Sequence, residues 1–239
     1  MSVMQRWTIE IRPLHLLNVL VGISGLFFVT HSVAVTLAIE RGITGRGFID
    51  KVNLGIDTAI PTWFAALLLF MSAVALLVVY RTSAAIDPRN GRHWLGLSVI
   101  FALLSIDEVA AIHEWVGDQG LIENRTGVLY YQWVVVGIAF VIAVGLVYLP
   151  FLARLDRRSR NLFVLSGALY VGGAVLMEMV NAAVGSATED GERGLQYALQ
   201  TGVEELFEMV GAAVFLYSVL DVLARRSVSV HIDVGAGQR

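Results

Sequence analysis

"TAIPTWFAALLLFMSAVALLVVY", residues 58–80, holds no Asp, Glu, Lys or Arg in 23 positions. As an α-helix it rises roughly 34 Å at about 1.5 Å per residue, enough to cross the ~30 Å hydrocarbon layer of a bilayer. A surface helix of a soluble domain is apolar on one stripe, and this stretch is apolar on every face. It is therefore read as a transmembrane helix. Five further apolar segments satisfy the same rule: 14–38, 94–116, 128–149, 162–185 and 196–223. The connections "RGITGRGFIDKVN", "RTSAAIDPRNGRH", "GDQGLIENRTG", "ARLDRRSRN" and "SATEDGERG" are turn-forming in composition. The expected fold class is all-α: an integral membrane bundle of six transmembrane helices, one domain over 1–239, with a short tail at 225–239.

Composition agrees. Hydrophobic residues make up 56% of the 239, charged residues only 15%, against about 25% in soluble domains; the mean hydropathy is +0.71. The first segment is too long for a signal-peptide core and no A-x-A site follows it, so it is kept as a span. The absence of cysteine excludes disulfides, thiolate ligands, iron–sulfur clusters and thiol nucleophiles. A net charge of −3 with no basic stripe gives no reason to expect a nucleic-acid partner.

Arg and Lys orient the spans. Arg6, Arg12, Arg81, Arg89, Arg92, Arg154, Arg157, Arg158, Arg160, Arg225, Arg226 and Arg239 fall on one side, twelve in all, against five on the other: Arg41, Arg46, Lys51, Arg125 and Arg193. By the positive-inside rule both termini are cytoplasmic. Trp63, Trp115 and Trp133 are then expected at the outer interface and Trp94 at the inner one.

With that orientation, polar groups from separate spans gather in the outer half of the membrane. Asp107, Glu108, His113 and Glu114 come from "LLSIDEVAAIHEWVG", residues 103–117. Glu178 and Asn181 come from the fifth span, and Glu204, Glu205 and Glu208 from "GVEELFEMVG" in the sixth. His31 of the first span, Asp57, Tyr130, Tyr131 and Gln132 lie at similar depth. An acidic residue at a helix centre costs about 2.5–3.5 kcal/mol on insertion scales. Seven carboxyls with no Lys or Arg inside any span must hold protons or share a cation. Asp107 and Glu114, seven apart, are expected on one face of a continuous third span, as are Glu204 and Glu208 on the sixth. Gly167, Gly172, Gly173 and Gly211 allow close helix approach.

"IPTWF", "SIDE" followed by "HE", and "EELFEMVG" together resemble a family of uncharacterised bacterial multi-pass membrane proteins. The resemblance runs from Asp57 to Gly211 and implies a bacterial inner-membrane location, with no activity attached.

The function expected from the residues is an outer-facing metal site. Asp107, Glu108, His113, Glu114, Glu178, Glu204, Glu205, Glu208 and His31 are its candidate ligands, and a divalent metal (iron, manganese or zinc) the candidate cofactor. Asp107, Glu114 and Glu208 are the candidate catalytic groups. The Glu-x-x-His pairs of di-iron bundles are missing, so such a site must be assembled from separate spans. The chemistry would be oxidation or hydrolysis of a lipid-like substrate. Proton or cation transport is the alternative, opposed by an apolar inner half and by the lack of a visible inverted repeat or broken helix. A b-type haem on His31 with His113 or His15 with His93, and a non-catalytic role in a larger membrane complex or oligomer, are further alternatives. No G-x-S-x-G elbow supports a serine hydrolase.

Overall fold

The computed structural model of the chain describes residues 12–43, 47–83, 88–117, 119, 127–188 and 191–226. Arg6, Arg46, Arg125, Arg239 and the expected tail beyond residue 226 lie outside the described residues. Among those described, the elements are α1 (Pro13–Arg41), α2 (Phe48–Val52), α3 (Ile60–Ser83), α4 (Pro88–Ala110), α5 (Ile112–Gly117), α6 (Trp133–Arg154), α7 (Arg157–Val171), α8 (Glu178–Ala187) and α9 (Leu195–Arg225). A π-helical segment, Gly172–Met177, joins α7 to α8 without a break in the rod. Short 3₁₀ turns stand at Gly127–Leu129 and Gly191–Arg193, and no described residue is in a strand. Six helices are long and apolar enough to cross a membrane: Pro13–Arg41, Ile60–Ser83, Asn90–Ala110, Trp133–Arg154, Arg157–Ala187 and Leu195–Arg225.

Local chemistry sets the helix ends. Pro13 occupies the first turn of α1, where its missing N–H costs nothing, and Gly42 closes that helix at φ 62°. Asp156 caps α7, its carboxylate accepting from the Ser159 N–H at 3.1 Å and the Ser159 hydroxyl at 2.7 Å. Inside the long helices the hydroxyls are satisfied by backbone. Ser24 bonds Leu20 O at 3.0 Å and Ser72 bonds Leu68 O at 2.8 Å, which removes free donors from apolar surroundings. Two hydroxyls act between helices: Ser98 on Ala73 O and Ser105 on Ala66 O, both at 2.8 Å, fasten α4 to α3.

α9 is the axis of the bundle and packs on α1, α3 and α7, while α4 packs on α3. The crossing with α7 is closest at two glycines. A Cβ on Gly211 would stand 2.6 Å from Tyr170 N, and one on Gly173 would stand 2.8 Å from Glu204 O. α6 is held differently, by its two ends. At one end Trp133 meets His113 and Glu178. At the other, Tyr148 donates to His93 O at 3.1 Å and Phe151 packs on Trp94 with ring centroids 4.8 Å apart. Between these tethers α6 stands away from its neighbours.

Two expectations need correction. The third span is not continuous over 94–116: α4 stops at Ala110, Ala111 takes φ 47°, and α5 begins at Ile112. Trp94 is no interfacial anchor, since it is 1% exposed among Phe151 and Phe163. Trp63 and Trp115 are exposed.

Gly211→Ala is expected to cost about 1–3 kcal/mol by overpacking against Tyr170 backbone. Gly22→Ala, where an added Cβ meets nothing within 4 Å, is expected to gain up to about 1 kcal/mol of helix propensity. Equal melting temperatures for the two variants would contradict the α7–α9 crossing. Asp156 gives a pH signature. Burial works to raise its pKa, but hydrogen bonds from Ser159 and Arg225 and the Arg225 charge outweigh it, bringing the group from an ordinary 3.8 to about 2. A depressed carboxyl stabilises the fold above its unfolded value and loses that contribution as pH falls through the folded one. The melting-temperature gap between wild type and Asp156→Ala is therefore expected to narrow as pH drops from 3.8 towards 2; a constant gap would contradict the cap.

Candidate functional site

The break in the third span builds one wall of the site. Asp107, in the last turn of α4, reaches past Ala111 to α5. Its Oδ1 accepts the His113 N–H at 2.9 Å and its Oδ2 meets His113 Nδ1 at 2.9 Å. The backbone supports the turn through Ala111 N–H to Asp107 O at 2.7 Å. A left-handed alanine costs about 1–2 kcal/mol, and the paired bonds to Asp107 offset that cost. The carboxylate thus caps a helix it does not belong to and fixes the imidazole plane. With Nδ1 committed, Nε2 is the nitrogen left for chemistry.

The other walls come from α6, the π segment and α9. His113 packs edge-on against Trp133, centroids 4.9 Å apart, and Trp133 Nε1 donates to Glu178 Oε1 at 3.0 Å. Glu178 follows the π turn directly, and π turns are frequent at functional sites. Asn181 Nδ2 donates to the buried Glu204 carboxyl, which also meets Glu178. Above these, Tyr131 donates to Glu192 Oε1 at 2.7 Å and, its one hydrogen so used, accepts from Tyr197 OH at 2.7 Å. Burial, with the hydrogen bonds to Tyr197 and Glu192, pushes the Tyr131 phenol above its ordinary range, so it stays protonated.

All of this faces one open cavity of about 970 Å³. Asp107, Glu108, His113, Glu114, Glu178, Glu204, Glu205 and Glu208 line it, together with Asp57, Tyr130, Tyr131 and Gln132. Glu108 of α4 and Glu205 and Glu208 of α9 act on one another electrostatically across it, and none of the three makes a hydrogen bond to a described residue. No Lys or Arg is among the described lining residues. Beyond Tyr170 the lining turns apolar, through Leu104, Phe101, Val144, Phe163 and Phe215. Among the described residues no group of three or more His, Asp and Glu side chains stands in an arrangement for holding a metal ion.

His31 does not join this set. Its Nδ1 accepts the Leu54 N–H at 3.0 Å and its Nε2 faces Ala198 O at 2.9 Å, so both ring nitrogens serve backbone and the side chain is 1% exposed. A ligand role is closed to it, and with it the haem pairing of His31 and His113. Trp133, Tyr170, Tyr197, Thr201 and Glu192 line the cavity without having been expected there. Glu192 sits in a charged turn and Trp133 at a helix end, where solvent and interface are the ordinary readings. Tyr170 and Thr201 lie in apolar runs with no local signal.

The chain belongs to the family described as Domain of unknown function (DUF8692), whose pattern covers residues 19–223. No curated protein and no solved structure matches the chain.

His31→Leu is expected to lower stability by about 1–3 kcal/mol, since it leaves the buried Leu54 N–H without its acceptor. Thermal unfolding in detergent measures the loss. A near-neutral result would contradict the clamp between α1, the Leu54 turn and α9.

Proposed function

We propose that the protein is an integral membrane enzyme that binds a lipid-like substrate with its polar head in the carboxylate and histidine chamber, and hydrolyses it there. One observation carries the reading: Asp107 holds His113 at the edge of a cavity that also contains three carboxyls making no hydrogen bond to a described residue. An imidazole oriented by a carboxylate through Nδ1 is a general base at Nε2, able to take a proton from an attacking water while Asp107 stabilises the imidazolium. Asp107 is then a positioning residue and His113 the catalytic one. Glu178 and Glu204 are committed to Trp133 and Asn181, which leaves Glu108, Glu205 and Glu208 to hold a positive charge. A divalent metal, iron, manganese or zinc, could supply it, held by those carboxylates while the His113 Nε2 stays free as the base; so could a charged headgroup. By the arginine asymmetry the Arg154 end of the bundle is cytoplasmic and the chamber opens outward, in what the family resemblance implies is a bacterial inner membrane.

Cation or proton movement is the second reading, favoured by the break at Ala111. The apolar lining beyond Tyr170 speaks against it, because a transport path needs polar groups through the full depth.

The test is cation-dependent melting of protein in lipid nanodiscs, with elemental analysis of material purified without chelator. Binding to the folded state is expected to raise the melting temperature, by about 2.7 kcal/mol of stability at a ligand concentration near 100 times Kd. Glu205→Gln with Glu208→Gln is expected to remove the gain. A wild type indifferent to manganese, zinc, iron and ammonium ligands alike would end the proposal. General-base loss is expected to cost about 10²–10⁴-fold in rate, so His113→Gln should abolish hydrolysis of ester-linked lipid reporters while cation response is retained in part.

A further inference from the structure

Resting on that reading of the chamber, we propose that the charge it takes is the ammonium head of a single-chain amphiphile, whose hydrocarbon chain lies in the slot between α6 and α7. The cavity is polar at one end and apolar through the rest, and it is continuous. Along α4 the lining runs from Glu108 to Leu97, a depth of roughly 16 Å at about 1.5 Å per residue, close to one leaflet of a ~30 Å hydrocarbon layer. Its volume of about 970 Å³ is at the upper end for a ligand pocket. A small soluble cation would need only the carboxyl end.

Two glycines mark the slot as space made for a ligand. Gly145 of α6 and Gly167 of α7 both line it, and a Cβ on either would meet no atom within 4 Å. They contrast with Gly173 and Gly211, which touch backbone. The slot also has a side entrance. Phe140 of α6 and Val164 of α7 line it and are still 46% and 54% exposed, so the gap between the two helices is open where hydrocarbon would surround the protein.

Charge selects the head. A phosphate or carboxylate head would enter a chamber of carboxyls with no Lys or Arg among its described lining residues to meet it and would be repelled. An ammonium carries three donors, and Glu108, Glu205 and Glu208 are acceptors that hydrogen-bond to no described residue.

The experiment uses full-length protein in nanodiscs and a dodecylamine with a diazirine at the far end of its chain. Photolabelled peptides are mapped by mass spectrometry. The matched carboxylate and alcohol, and butylamine as competitor, serve as further arms. Labelling is expected on the α6 and α7 walls of the slot. It should fall about tenfold, the weight of one good interaction, for the carboxylate head, for Glu208→Gln and for Gly167→Leu. Leucine at 167 projects into the slot from a Cβ that meets no atom within 4 Å, and an unchanged melting temperature certifies its fold. Butylamine should compete at least about tenfold more weakly than unlabelled dodecylamine. Equal labelling by amine and carboxylate, undiminished labelling of Gly167→Leu, or label confined to the outward faces of α1 and α3 would overturn the inference. If these occur while divalent metal still raises the melting temperature, this inference alone falls and the cation-holding chamber stands. Loss of both responses overturns the two together.

Discussion

Where α7 and its π turn cross α9, backbone lies against backbone. Gly211 admits Tyr170 and Gly173 admits the Glu204 carbonyl, and no side chain larger than hydrogen fits at either point. That approach puts Asn181 within reach of Glu204 and Glu178 beside it. It also turns the row of Glu204, Glu205 and Glu208 toward the cavity. Helix association in a bilayer draws little from apolar burial and relies on such close contacts and on polar bonds. The crossing therefore fixes the axis of the bundle and the position of the acid layer together.

Within that layer the polar groups divide into two kinds. Asp107, Glu178 and Glu204 each answer a specific donor: the His113 ring and N–H, the Trp133 indole and the Asn181 amide. These bonds hold α5, α6 and α8 in place. Glu108, Glu205 and Glu208 face the cavity with no such donor. A membrane protein that only needed glue would use the first kind and dispense with the second, since each unmatched carboxyl is costly in hydrocarbon. α6 shows the same economy in its packing, fastened at Trp133 and at Tyr148 with Phe151 and otherwise held apart from the bundle.

The spans were legible because twenty apolar residues in a row have few other uses; all six apolar segments correspond to helices long enough to cross. The gathering of Asp107, Glu108, His113, Glu114, Glu178, Glu204, Glu205 and Glu208 around one cavity could be reasoned from depth alone, given alternating directions of the spans. The break at Ala111 could not. It is closed by the His113 N–H donating to the Asp107 carboxylate across the turn, and "VAAI" contains neither glycine nor proline to announce it. The faces drawn on a continuous helix were accordingly wrong beyond residue 110. His31 looked like a ligand because it lies at the depth of the acid layer; its partners at Leu54 and Ala198 are backbone atoms that no residue type betrays. The stand-off of α6 is a property of packing, and its composition resembles that of any other span.

The helix that serves as axis is also the one translated after all the others. α1, α3 and α7 each present to α9 a surface that has no partner while the ribosome is still short of Leu195. The α3–α4 pair can close early through Ser98 and Ser105, but Gly173 and Asn181 must wait. During that interval Glu108 and Glu178 have no chamber to face, and the acid layer closes only when α9 arrives.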